Sequence, residues 1–245
     1  KLYCLMITII PAIDIIEGKC VRLSGGAFET KKVYNEDPVE VAKTFEGVGL
    51  RRLHLVDLDG ARTGSVKNWK VLEKIALKTS LVIDFGGGVH TEADVKIGFN
   101  SGAYMINIGS MAVKEKEELV SWMQKFGSER FLIGADVKEE KIMTKGWTED
   151  SGISVYDFIE DYMKEEVRQF FCTDIAKDGM MKGPAIELYK KIIGQFPAIE
   201  LIASGGVSNI KDVEELEAAG CTGVIIGKAF YEGTLKTEEI KVYVN

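Results

Sequence analysis

The chain has 245 residues, a formal net charge of −7 and 46% hydrophobic residues. This length fits one large α/β domain or two small ones, and the apolar content is enough to bury a full core. The sequence has no dense cluster of Lys and Arg, so nucleic acid is not an expected partner. The apolar opening LYCLMITIIPAI is too short to span a membrane and lacks a signal-peptide cleavage pattern, which predicts a cytoplasmic protein without membrane contact.

The contents of cysteine and histidine argue against metal chemistry. Four cysteines lie far apart without metal-ligand spacing, and the chain has two histidines. We therefore expect reduced cytosolic thiols and no metal site. Because ITIIPAID after Met6 resembles a natural start, residues 1–5 are interpreted as an upstream extension.

Short β-branched runs alternate with amphipathic helical segments along the chain. The predicted strands are 7–13, 51–56, 81–85, 104–108, 130–135, 168–173, 199–203 and 223–226. Strand–helix alternation of this kind predicts parallel strands with helical crossovers. The length fits a (β/α)8 TIM barrel, whereas the first strand is not followed by the GxGxxG of a dinucleotide fold.

Residues 86–110 reappear 118 positions later as residues 204–228, with eight identities in 25 aligned positions. Four of these identities are glycines, which hold position where the backbone needs φ > 0 or approaches another group closely. The repeat predicts one barrel domain over residues 1–245, built from duplicated half-barrels of about residues 6–125 and 126–245.

Each copy of the repeat carries a Gly-Gly turn and, 22 residues later, another glycine at a strand end. Loops that follow the strands form the active site of such a barrel. One such loop alone is as easily a plain strand-to-helix turn, but two in register favour a ligand with two phosphates, held by backbone N–H groups. The predicted phosphate-binding residues form two groups. The first glycine loop comprises Gly87, Gly88, Gly109 and Ser110, and the second glycine loop comprises Gly205, Gly206, Gly227 and Lys228.

Carboxylates follow several of the predicted strands. Asp14 and Asp136 end the first and fifth strands and are equivalent across the repeat. Either one alone is as easily a turn cap, but facing each other across the barrel mouth they form an acid/base pair. Asp178 is either catalytic or shapes its loop, and its counterpart Asp59 is interpreted as structural. His54 is expected to line the barrel or the core rather than to act as a base.

Two further side chains lie beside the predicted site. Trp147 follows VKEEKIMTKG, which predicts a long hairpin-like loop after the fifth strand. The indole either anchors this loop by apolar packing or stacks on a flat aromatic ligand when the loop closes. His90 follows the first glycine loop and is expected either to contact a phosphate or to face solvent.

Several segments together make the chain resemble the ProFAR isomerase family of histidine biosynthesis. They are PAIDIIEGKCVRL, HLVDLDGARTG, GGGV, TDIAKDGMMKGP, ASGGVSNIKDVEEL and GVIIGKAFYEG. The resemblance runs from about residue 6 to residue 233, and TDIAKDGMMKGP is its most specific part. It implies a duplicated (β/α)8 barrel that needs no metal or organic cofactor, and a small-molecule substrate with a phosphate at each end. We expect a monomer.

The resemblance also implies roles for individual residues. Asp14 corresponds to the proton acceptor of the family and Asp136 to its proton donor, with Asp178 as the alternative acid. Thr173 matches a supporting polar residue at the end of the sixth strand.

Arg22 matches an Arg near the substrate, and Trp147 matches the Trp of a mobile loop. Two positions depart from the family pattern. His90 replaces a phosphate-binding Arg, and Asp84 stands where the family has an uncharged or longer side chain. We expect a weaker or more pH-dependent grip on that phosphate.

The implied reaction is an Amadori rearrangement of the aminoaldose ProFAR to the ketose PRFAR. An acid protonates the ribose ring oxygen, the ring opens to a protonated Schiff base, and a base removes the C2 proton. The cyclase subunit of imidazole glycerol phosphate synthase is one alternative, against which TDIAKDGMMKGP argues. A phosphoribosylanthranilate isomerase or dual-substrate enzyme is another, although its substrate has a single phosphate. A non-catalytic phosphate-binding barrel is the third, and it would not need the three carboxylates.

Overall fold

The computed structural model describes residues 6–244, so the interpretation of residues 1–5 as an extension lies outside the described residues. The strands are β1 (Thr8–Ile16), β2 (Lys19–Ser24), β3 (Ala27–Asn35), β4 (Arg52–Asp57), β5 (Val82–Gly86), β6 (Met105–Ile108), β7 (Phe131–Lys138), β8 (Lys141–Thr144), β9 (Glu149–Ser154), β10 (Gln169–Asp174), β11 (Glu200–Ser204) and β12 (Gly223–Ile226). The α-helices are α1 (Pro38–Gly47), α2 (Leu58–Thr63), α3 (Trp69–Lys78), α4 (Glu92–Asn100), α5 (Met111–Lys114), α6 (Lys116–Phe126), α7 (Val155–Met163), α8 (Ile186–Gln195), α9 (Ile210–Ala218) and α10 (Lys228–Tyr231). Two 3₁₀ turns cover Ser128–Arg130 and Lys241–Tyr243.

Eight parallel strands close into a (β/α)8 barrel, as predicted. Their order around the barrel is β1, β4, β5, β6, β7, β10, β11 and β12, and β12 pairs with β1 to complete the circle. Each of the eight predicted strands corresponds to one of them. The strands are rich in Ile, Val, Leu and Phe because parallel strands in a barrel are buried on both faces.

Two antiparallel hairpins extend from the carboxyl end of the barrel. β2 and β3 follow β1, which runs past its predicted end to Ile16 before Glu17 and Gly18, at φ 53° and 76°, reverse the chain. This hairpin was not predicted, since β3 is largely exposed and carries little apolar pattern. β8 and β9 follow β7 and form the predicted hairpin-like loop.

Helices α4 and α9 begin with matching capping boxes immediately after the two glycine loops. Thr91 caps α4 with Asp94, and Asn209 caps α9 with Asp212. Both aspartates are buried, and each accepts hydrogen bonds from backbone N–H groups of the residues that lead into its helix. The capping boxes therefore fix the path of each glycine loop, as expected for a duplicated half-barrel.

The barrel interior differs between the two halves. An apolar cluster fills it with Ile10, Ala12, Met105, Leu132, Phe171, Ile202 and Ile225. Strands β4, β5 and β6 add the buried polar residues His54, Asp84 and Asn107. His54 thus lines the barrel, as expected. No helix of residues 6–244 is long and apolar enough to cross a membrane.

Candidate active site

A cavity of about 680 Å³ lies where the loops follow the barrel strands. Every residue predicted for the site lines it: Asp14, Arg22, Gly87, Gly88, Gly109, Ser110, Asp136, Trp147, Thr173, Asp178, Gly205, Gly206, Gly227 and Lys228. These residues come from both halves of the chain, so the fold brings both glycine loops and the three carboxylates to one mouth.

The backbone of each glycine loop lies in close contact with the loop that follows the preceding barrel strand. A Cβ on Gly88, at φ 82°, would lie 2.6 Å from the carbonyl oxygen of Gly60. A Cβ on Gly206, at φ 86°, would lie 2.4 Å from the carbonyl oxygen of Gly183. A side chain fits at neither position, so glycine is required at equivalent places in both halves.

The loop behind Gly88 is organised by Asp57, the last residue of β4. Asp57 is fully buried and accepts hydrogen bonds from the N–H groups of Gly60, Lys67 and Asn68 at 2.7–2.8 Å. Asp59 accepts from the N–H of Glu17 at 2.6 Å and lies outside the cavity lining. These contacts agree with the structural interpretation of Asp59.

Asp14 pairs with Arg22 at the base of the β1–β2 hairpin. The guanidinium Nη1 lies 2.9 Å from the Asp14 carboxylate, and both side chains are 14% exposed. Burial raises the pKa of Asp14, the Arg22 charge opposes the rise, and the nearby Asp178 charge adds to it. The guanidinium also packs on Gly227, where a Cβ would lie 2.4 Å from Cζ. Arg22 therefore connects the proposed base to the second glycine loop.

Asp136 has a different set of partners. Burial raises its pKa, while hydrogen bonds from the Trp147 indole and the Thr173 hydroxyl lower it. The Asp178 charge raises the pKa further. Thr173 on β10 pairs in register with Asp136 on β7, so the two side chains lie side by side on neighbouring strands.

The tip of the β8–β9 hairpin lies over the cavity. The N–H of Lys145 donates to the Ser110 hydroxyl at 3.0 Å, beside the first glycine loop. The Trp147 ring packs on Gly26 of the β2–β3 turn, where a Cβ would approach the ring to 3.0 Å. Lys145 and Trp147 both have positive φ, at 50° and 73°. The tip thus contacts the β2–β3 turn, the first glycine loop and Asp136 in this strained conformation.

Other lining residues were missed or left open by the sequence. Phe28 and Arg62 line the mouth, with the guanidinium 5.5 Å from the ring centroid. Phe28 could not be recognised as a site residue from the sequence, because it lies on β3, whose hairpin was not predicted. His90 is exposed and lines the cavity. The Lys228 ammonium donates to the carbonyl of Gly179 at 2.8 Å, which connects the second glycine loop to the loop after β10.

Comparison with known proteins identifies the family of the chain. Residues 8–236 match the family described as histidine biosynthesis protein. The chain is 54% identical over 239 residues to the 1-(5-phosphoribosyl)-5-((5-phosphoribosylamino)methylideneamino)imidazole-4-carboxamide isomerase of Bacteroides thetaiotaomicron, which covers 98% of this chain and 100% of that protein. The isomerases of the same name from Parabacteroides distasonis and Flavobacterium johnsoniae are 56% and 51% identical, each over 96% of this chain and 98% of the relative. The resemblance inferred from the motifs is confirmed, and the chain belongs to the histidine biosynthesis protein family.

Proposed function

We infer that this protein is the aldose–ketose isomerase of histidine biosynthesis that converts the bis-phosphorylated aminoaldose ProFAR into the ketose PRFAR. The observation that carries this inference is the cavity itself. Two equivalent glycine loops and the carboxylates Asp14 and Asp136 line the same mouth. That arrangement suits a substrate with a phosphate at each end and its reacting sugar in between.

The glycine loops act as the two phosphate sites. Gly88 and Gly206 let each glycine loop lie close against the preceding loop, and the N-termini of α5 and α10 follow Gly109 and Gly227. Backbone N–H groups at such positions bind dianions without needing a positive net charge. This agrees with the net charge of −7.

Asp136 acts as the general acid and Asp14 as the general base. Asp136 protonates the ring oxygen, the C1–O bond breaks, and the electron pair of the substrate nitrogen forms the protonated Schiff base. Asp14 then removes the C2 proton to give an enolamine, which tautomerises to the ketose. Burial raises the pKa of both groups, so a protonated carboxyl persists to a higher pH than in water.

Neighbouring residues support these two steps. Arg22 neutralises the charge of Asp14 and reaches the second phosphate loop. Thr173 donates to Asp136 and orients its carboxyl group. Asp178 lines the same cavity and is the alternative acid. Trp147, which also donates to Asp136, covers the imidazole carboxamide of the substrate.

The relatives' names do not favour the alternatives. A cyclase would act on PRFAR rather than form it, and a phosphoribosylanthranilate isomerase would fill one phosphate loop. We further propose that the enzyme works as a cytoplasmic monomer, which analytical ultracentrifugation and cell fractionation would test.

The deciding experiment is an isomerase assay of the purified protein with ProFAR, run beside phosphoribosylanthranilate and an Asp14→Asn variant. We expect turnover of ProFAR by the wild type, loss of turnover in the variant and no reaction with phosphoribosylanthranilate. Binding of ProFAR without conversion would make the protein a phosphate-ligand binder, and conversion of PRFAR to an imidazole would make it a cyclase.

A further inference from the structure

A buried carboxylate lies beneath the cavity and has no part in the steps above. Asp84 on β5 is 1% exposed. Its Oδ1 atom lies 2.5 Å from His54 Nδ1 and accepts a hydrogen bond from Asn107 Nδ2 at 2.9 Å. Its Oδ2 atom has no hydrogen-bond partner within residues 6–244, and the Arg52 guanidinium lies 4.0 Å from it.

These contacts determine which nitrogen of His54 carries a proton. Oδ1 of Asp84 accepts the amide N–H of Asn107, so this oxygen acts as a hydrogen-bond acceptor. A carboxylate oxygen can accept a second N–H, which makes Nδ1 of His54 the donor in their contact. The second ring nitrogen, Nε2, is then available on the side of the ring away from Asp84.

His54 lies on β4 and its side chain is buried. It lines the cavity and pairs in register with Ala12 on β1 and with Asp84 on β5. Its ring meets Phe171 edge-on across the barrel, with centroids 5.3 Å apart. This packing and the Asp84 contact leave the ring little freedom to turn.

The imidazole is also electrostatically close to both proposed catalytic carboxylates. A charge on His54 lowers the pKa of Asp14 and of Asp136. The charged groups that act on the ring are therefore Asp84 and these two carboxylates, and the Arg52 guanidinium lies 4.0 Å from Oδ2 of Asp84. Any rotation of the ring would change the surroundings of both reacting groups.

We propose that Asp84 is a positioning residue that fixes His54 with a proton on Nδ1, so that Nε2 is held as a hydrogen-bonding group for the substrate's sugar hydroxyls. This inference rests on the proposed isomerase function. Carboxylates that orient a functional histidine in this way determine its tautomer and the direction of its free nitrogen.

The chain suits a direct spectroscopic test, because it has two histidines, His54 and His90. Nitrogen-15 NMR of the imidazoles, with the signals assigned through a His90→Gln variant, reports the tautomer of His54. We expect a proton on Nδ1 in the wild type, loss of that preference in Asp84→Ala, and its retention in Asp84→Asn, which keeps an acceptor oxygen. A wild-type His54 without a proton on Nδ1 overturns the proposal.

Kinetics provide the second measurement. We expect Asp84→Ala to lower kcat by about 10-fold to 100-fold, the range seen when the group that orients a functional histidine is removed. KM should change much less, and Asp84→Asn should recover part of kcat. Arg52→Met is the matched control, because it removes the contact to the other oxygen of Asp84 and should leave the tautomer unchanged. A fall in kcat with an unchanged tautomer, or a changed tautomer with normal kcat, overturns the proposal.

The proposal can still be tested if the Asp84→Ala variant does not fold or if the proposed function fails. If Asp84→Ala does not fold, ProFAR is titrated into the Asp14→Asn variant, where the Nε2 signal must shift while the Nδ1 proton remains, and an unmoved Nε2 signal overturns the proposal. If the wild type turns over no ProFAR, the proposed function fails. The NMR measurement of the His54 tautomer still tests the Asp84–His54 contact independently of that result.

Discussion

Asp14 and Asp136 are both raised in pKa by burial, yet Asp14 contacts a cation and Asp136 accepts hydrogen bonds from neutral donors. Arg22 lies 2.9 Å from the Asp14 carboxylate, whereas Trp147 and Thr173 donate to Asp136. A full positive charge favours the ionised form more strongly than neutral donors do. The difference in partners therefore suits Asp14 to accept a proton and Asp136 to deliver one, although the two carboxylates are equivalent in the repeat.

Replacement of Asp14 by Asn should remove the proposed base and preserve the shape of the site. We expect kcat to fall by at least about 10²-fold to 10⁴-fold, the usual contribution of a general acid or base, with substrate affinity largely retained. Single-turnover kinetics and calorimetry measure the two quantities. Asp59→Asn is the control, because Asp59 is a carboxylate on the same face that does not line the cavity. More than about a tenth of wild-type activity in Asp14→Asn would assign the base elsewhere, with Asp178 the next candidate.

The pH profile of kcat should identify the acid. In the proposed mechanism Asp136 acts in its protonated form, so activity is lost as pH rises through its raised pKa. Asp14 acts in its ionised form there, so activity is lost as pH falls through its own raised pKa. Thr173→Val removes a hydrogen bond that lowers the pKa of Asp136. The alkaline limb should therefore move to higher pH and the acidic limb should stay. An alkaline limb that is unmoved in Thr173→Val but absent in Asp178→Asn would make Asp178 the acid.

Some features of the fold and of the site could be predicted from the sequence, and others could not. The repeat located Gly88 and Gly206 because both halves need glycine at the same close contact, and the strand-end rule located Asp14 and Asp136. The β2–β3 hairpin was not predicted because its exposed strand, β3, has little apolar periodicity. The contact between Asp84 and His54 was not predicted either, because it joins residues on neighbouring strands that are 30 positions apart in the sequence. Sequence spacing predicts that such strands pair but does not specify which side chains bond.

Gly206→Ala should damage both stability and phosphate binding. The new Cβ would lie 2.4 Å from the Gly183 carbonyl oxygen, at a φ of 86° that L-residues rarely adopt. We expect the free energy of unfolding to fall by roughly 1–3 kcal/mol or more, together with a higher KM. Gly194→Ala is the matched control, because this exposed position in α8 has no atom within 4 Å of the added Cβ. Urea denaturation that gives both variants the same midpoint would contradict the assignment of a required glycine.

Crystals soaked in sulfate should contain two anions in the cavity. One is expected at Gly87, Gly88 and Gly109 and the other at Gly205, Gly206 and Gly227, since each half-barrel supplies one loop of backbone donors. Occupancy should fall at the second site alone in the Gly206→Ala variant, with the first site as the internal control. A single occupied loop in the wild type would argue against a substrate held by both phosphates.

Trp147 should report substrate binding by its fluorescence. Its ring packs on Gly26 and its indole donates to Asp136, so a substrate between the glycine loops must change its surroundings. Trp122 is 1% exposed in the core and hydrogen-bonded to Glu118, so its emission should stay constant and needs no replacement.

Titration of ProFAR into an Asp14→Asn, Trp69→Phe variant therefore follows Trp147 against a fixed background. We expect a saturable change in emission that is absent when Trp147→Phe is added, and a lower kcat in Trp147→Ala on the wild-type background, because the loop then covers the substrate poorly. Unchanged emission, together with near-normal kcat in Trp147→Ala, would mean that Trp147 packs permanently at the barrel rim and has no stacking role.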